Sequence, residues 1–167
     1  MLPDPLHPAV IHFPIVLTIL LPLVALGTFR FIHKGIAPHR VWWASVAVSA
    51  ALAFSTWAAV ETGESQEERI EAVVAEAPLE GHEQSAERFF FLTLGLLGVT
   101  FLGLVKGKVG LLARRAALVG ALVLPIGAYQ VGHSGGALVY RYGAASAYSD
   151  VPNTPRPSHE EREHDED

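Results

Sequence analysis

The side chains in this chain with ligand chemistry are its eight histidines and a set of glutamates, and the informative ones gather at the ends of apolar stretches. Leu6-His7-Pro8-Ala9-Val10-Ile11-His12-Phe13-Pro14 opens the first stretch. Gly81-His82-Glu83 precedes the third. Gly132-His133-Ser134-Gly135-Gly136 follows the fourth, and Glu61 and Glu64 close the second. Imidazole is a good ligand for haem iron, zinc and copper, and a ligating ring needs a partner on its second nitrogen to fix it. Neighbouring Glu side chains could be that partner. Glycines around His133 would let the backbone approach a planar ligand. Ser134 beside His133 is sequence adjacency rather than a nucleophile with its base, and no hydrolytic constellation stands out.

Composition narrows the chemistry. The chain has no cysteine and its one methionine is Met1. Disulfides, thiolate metal sites, iron–sulfur clusters, thioether-attached haem and a methionine axial ligand are thereby excluded or disfavoured. A metal or haem must use His, Asp or Glu. The formal charge of −5 leaves no basic footprint for nucleic acid.

The elements that must position these groups are four apolar stretches, about Pro8–Phe29, Val41–Val60, Phe89–Val105 and Ala116–Val131. The first two carry no Asp, Glu, Lys or Arg. A hydrocarbon core of about 30 Å needs roughly 20 helical residues. The expected fold is therefore all-α: an integral membrane four-helix bundle over residues 1–150, followed by a disordered acidic tail over 151–167 that holds His159 and His164. A soluble bundle is the poorer reading, because soluble helices show a polar face. The N-terminus lacks the basic residues of a signal peptide.

Arg30, Lys34 and Arg40 fall between helices one and two, and Lys106, Lys108, Arg114 and Arg115 between helices three and four. Lys and Arg in short loops mark the cytoplasmic side. The expectation is a multi-pass protein of the cell inner membrane with both termini and the acidic loop outside. Arg114 and Arg115 are expected at headgroup level. Ile70, Val73, Val74 and Ala77 repeat at helical spacing, which predicts an outer amphipathic helix between helices two and three, ended by Pro78. Pro14, Pro22 and Pro125 should kink or loosen their helices. Ser45, Ser49 and Ala53, with Ala47 and Ala51, form a small-residue stripe on helix two. Gly95 and Gly98 on helix three, and Ala116, Gly120 and Ala121 on helix four, point to close packing in the same way.

His7-Pro-x-x-x-His12-Phe-Pro, opening a membrane helix, resembles the signature of the bacterial membrane proteins filed as domain of unknown function 2231. Gly132-His133-x-Gly135-Gly136-x-Leu138-Val139-Tyr140-x-x-Gly143 is similar to a branch of that family. The resemblance covers about Leu6–Gly143 and implies four membrane helices without an established activity. Some relatives carry cytochrome domains, which implies electron transfer.

Three functions stay open. The first is a b-type haem near the outer surface, with His12, His82 and His133 as cofactor-binding candidates and Phe13, Trp57 and Tyr129 near the porphyrin. Its partners would be other membrane redox subunits or an outer-side electron carrier. The second is a non-enzymatic subunit or assembly protein with a structural His/Glu cluster. The third is a divalent-metal site, zinc for example, on His7, His12, Glu61, His82 and Glu83.

Overall fold

A computed structural model describes residues 5–148. The expected acidic tail lies outside them. The described elements are α1 (His7–Val10), α2 (His12–His33), α3 (Pro38–Val41), α4 (Trp43–Glu64), α5 (Glu67–Glu71), α6 (Glu76–Leu102), α7 (Gly107–Tyr140) and a 3-10 turn (Ala144–Tyr148). Among the described residues there is no strand. Four segments are long and apolar enough to cross a membrane: His7–His33, Pro38–Glu64, Glu76–Leu102 and Gly107–Tyr140. The chain is an all-α four-helix membrane bundle. Its helices pack in a ring, α2 on α4, α4 on α6, α6 on α7 and α7 back on α2.

Prolines set several of the boundaries. Pro14 has no N–H to give the Val10 carbonyl four residues back, and the helix is interrupted at Ile11. Pro22 and Pro125, by contrast, lie inside continuous helices. Pro38 starts α3 after an extended Ala37. Pro78 does not end an amphipathic helix as expected. It stands in the first turn of α6, where a missing N–H costs nothing because first-turn donors have no intrahelical partner. The surface helix α5 is accordingly shorter and earlier than the apolar periodicity suggests.

Helices α6 and α7, with 27 and 34 residues, are longer than their apolar stretches. At about 1.5 Å per residue they reach roughly 40 and 50 Å, against a hydrocarbon core of about 30 Å. The first three turns of α6 and the last two of α7 therefore stand above the apolar belt at the same end. There they enclose a small second core of Val74, Leu79, Leu138 and Ala144. Tyr148 donates to Gln66 at 2.9 Å, and Arg69 lies over the Tyr148 ring, joining α5 to the 3-10 turn.

The main core holds Leu21, Ala25, Trp42, Val46, Leu52, Phe89, Leu96, Ala117, Ala121 and Leu124. Its buried polar groups are mostly hydroxyls, which pair with carbonyls of their own helix or with each other across helices. Ser45, Ser49 and Ala53 face this core, but Ala47 and Ala51 face outward. Residues two apart on a helix are rotated by about 200°, so the two sets cannot share a face. Gly95 and Gly98 also face outward, as does Ala116; helix α6 packs through Phe89, Thr93, Leu96 and Thr100, and α7 through Ala113, Ala117 and Ala121. Gly120 does meet Leu96, at 2.8 Å from an added Cβ.

Candidate functional site

The bundle has two chemically distinct ends. Every Glu of the described residues lies between Glu61 and Glu87, on α5 and the neighbouring ends of α4 and α6. The start of α1 and the C-terminal part of α7 share that acidic end.

Two histidines meet there. His7, the first residue of α1, is half-buried against α4. Its Nδ1 lies 2.8 Å from the Ala59 carbonyl and 3.3 Å from Thr62 Oγ1. His82, one turn and a half into α6, is half-buried against α7, with Nδ1 2.9 Å from Ser134 Oγ. The ring centres are 6.5 Å apart and the planes nearly perpendicular, at 83°.

The hydrogen bonds fix the His7 tautomer and are compatible with the same one for His82. A carbonyl only accepts, so His7 donates from Nδ1–H to Ala59. The Ser134 hydroxyl has one proton and gives it to the Val131 carbonyl at 3.0 Å. With that bond made, Ser134 accepts from His82 Nδ1–H; with the hydroxyl turned to His82 instead, Nδ1 accepts. In neutral His7, and in the Nδ1–H tautomer of His82, the lone pair falls on Nε2. Two imidazoles from different helices are thus each held through one nitrogen, as ligating histidines are. Glycines pack against both rings: a Cβ on Gly135 would stand 3.0 Å from His82 Cε1, a tight fit, and one on Gly63 would stand 3.4 Å from His7 Cε1, an ordinary contact.

The expected grouping of His12, His82 and His133 needs correction. His12 is exposed on the outer face of α2. The break at Ile11 separates it from His7, which belongs to α1 and turns toward α4. His133 is likewise exposed and stacks on the outward Tyr129, with ring centres 5.9 Å apart. The residue that α7 turns toward His82 is its neighbour Ser134. The five-residue metal set is not brought together either. Glu61 is exposed and Glu83 half-buried, and no group of three or more His, Asp or Glu side chains is arranged to hold an ion among the described residues. Phe13, Trp57 and Tyr129 are on the outer surface, at 65 %, 45 % and 71 % exposure, and line no internal site.

Ala59, Thr62 and Ser134 are not legible as site residues in the sequence. A backbone carbonyl carries no sequence signal. The Gly132–Gly136 run reads as a loop, whereas it lies within α7. Comparison with family models, curated proteins and solved structures finds no match to this chain.

Proposed function

We propose that this is a multi-pass protein of the cell inner membrane, acidic end outside, in which His7 and His82 are the two protein ligands of a b-type haem that takes part in electron transfer. The observation carrying this reading is the pair of half-buried imidazoles from two helices, ring centres 6.5 Å apart, each already held through its Nδ1. The separation supports it: a ring centre lies about 3 Å from an ion the ring would ligate, so one ion is within the combined reach of two rings 6.5 Å apart. The donor count also favours haem over zinc. Structural zinc takes four protein ligands, whereas haem iron asks the protein only for axial ones.

Bound there, a haem would supply one-electron transfer. The chain's own residues hold the rings: Ala59 and Thr62 orient His7, and Ser134 orients His82. The glutamates around the site would steer a cationic outer-side carrier, a rate effect that salt weakens. The orientation rests on the basic loops, and membership of the domain of unknown function 2231 rests on the His7–Pro14 and Gly132–Gly143 motifs.

Reduced-minus-oxidised spectra of protein expressed with adequate haem supply test the reading. Bands of b type are expected, lost in His7→Ala and in His82→Ala and retained in His12→Ala and His133→Ala. Colourless protein with no bound metal would overturn it. That result would favour the second reading, a non-enzymatic membrane subunit, which has its own support: each imidazole ties two helices together without any ligand.

A further inference from the structure

The opposite, basic end carries a second polar feature. Arg114 is only 6 % exposed, although its charge predicts a place at headgroup level. It sits two turns into α7, and its side chain runs back toward the helix start, as long helical side chains do. There Nη1 donates to the Gly103 carbonyl. This path crosses Gly110, where a Cβ would stand 3.1 Å from Nη1 and would overlap the Val105 oxygen. The guanidinium lines a cleft of about 280 Å³ together with Pro38, His39, Leu104, Val105 and Lys106.

Among the described residues that buried charge has no counter-ion. No Asp or Glu occurs between residues 5 and 60 or between 88 and 148, so the whole basic end is without a carboxylate. Arg114 makes no ion pair among the described residues, and one carbonyl satisfies only part of its five-donor fork. Leaving a cation buried and unpaired is costly, and in a membrane such a group normally has a partner. Two further features of the cleft favour an anion. Lys106 stands exposed at its mouth, and α7 begins there with no side-chain cap on its free N–H groups.

We propose that this cleft binds the phosphate group of an anionic phospholipid, with Arg114 and Lys106 as its cationic contacts and His39 at the rim. The apolar surroundings select a lipid over free phosphate. Leu104 and Val105 share the cleft, and Val109 and Leu112 continue outward from it, 61 % and 69 % exposed, where acyl chains would lie. The volume suits a headgroup rather than a whole molecule, and basic pockets between membrane helices bind lipid headgroups in this way.

The test uses the full-length protein, delipidated in mild detergent and offered phosphatidylglycerol, phosphatidylcholine or inorganic phosphate. Native mass spectrometry counts what is retained. Phosphatidylglycerol should be retained and phosphatidylcholine lost. Lys106→Gln, a change at an exposed position, should weaken phosphatidylglycerol retention about fivefold, the effect of one cation near an anionic surface. Arg114→Lys keeps the charge but loses the fork, and should weaken it as well. Equal retention of the two lipids, or an unchanged Lys106→Gln, would overturn the proposal. Inorganic phosphate competing as well as phosphatidylglycerol would assign the cleft to a soluble anion and overturn the lipid.

Discussion

The two ends of the bundle solve the problem of buried polarity in opposite ways. At the basic end large and small side chains interlock around internal donors. Trp42 is fully buried and donates from its indole to the Thr100 carbonyl at 2.8 Å. Ser49 and Thr100 share a hydroxyl contact, as do Thr28 and Ser45. A Cβ on Gly103 would overlap the Trp42 indole nitrogen. At the acidic end the helices rise above the apolar belt and are tied by two half-buried imidazoles, each through its Nδ1. The basic end is closely packed beside a single cleft that Arg114 lines, whereas the acidic end is joined by side-chain hydrogen bonds between helix ends. The first buries a charge in a tight core; the second keeps its charges on glutamates above the apolar belt.

Substitutions that fill space should separate the two ends most sharply. Gly110→Ala carries the largest expected effect, because its methyl would overlap the Val105 backbone, which cannot rotate away. A loss of about 3 kcal/mol or more is expected for such overpacking, read as a large fall in detergent melting temperature. Gly95→Ala on the same bundle, with nothing within 4 Å, should be neutral or slightly stabilising. Equal effects would refute the packing described here.

Ser49→Leu comes next. Ser49 is 1 % exposed, and a leucine there should cost about 1–3 kcal/mol through lost helix contact. Ala47→Leu, on the outer face, should leave the melting temperature unchanged, and destabilisation by Ala47→Leu alone would reverse the assigned face of α4.

Trp42→Phe keeps an aromatic ring but removes one of the two donors to the Thr100 carbonyl, which keeps the Gly103 N–H, at a cost of about 0.5–1.5 kcal/mol for the lost hydrogen bond. Gly135→Ala probes the acidic end. Its methyl would press on His82 at the edge of ordinary contact, so any haem spectrum should shift while stability changes little. A global loss of fold in this variant would show that Gly135 belongs to the packing rather than to the site.

The smallest effect, with the opposite sign, is expected of Thr18→Val. Thr18 Oγ1 is buried with no hydrogen-bond partner among the described residues. Replacing it with a methyl should be neutral or stabilising by up to about 1 kcal/mol. A clear destabilisation in urea or heat would mean that the hydroxyl has a partner, such as a bound water.

The four spans are legible in the sequence because long uncharged apolar runs are costly to keep in water and match the thickness of a bilayer. Their ends are not. Hydropathy stops α6 at Phe89, yet the helix continues back to Glu76 because its charged turns stand above the belt, where water can solvate Glu80, Glu83 and Glu87. The glycines at 132, 135 and 136 read as a loop, but they lie within α7, where Gly135 packs against His82 and Ser134 stands where His133 was expected. The histidine end itself is readable from the sequence, since apolar runs fix which termini share a surface. Which histidines face inward depends on rotation about each helix, and the break at Ile11 resets that rotation for His7 relative to His12. Arg114 departs from expectation for a related reason: its charge suggests the surface, while its long side chain folds back beneath a glycine.

Arg114 and Ser134 belong to one uninterrupted helix, twenty residues apart or about 30 Å along its axis. That makes α7 one continuous rod between the two ends of the bundle. At the His82–Ser134 end, a hydrogen bond of 2.9 Å running across the axis would need an axial slide of about 2 Å, more than one residue's rise, to pass out of range. The soft point between them is Pro125, which withholds a bond from the Ala121 carbonyl. The mechanical stiffness of that one proline turn would decide how faithfully one face of the membrane feels what happens at the other.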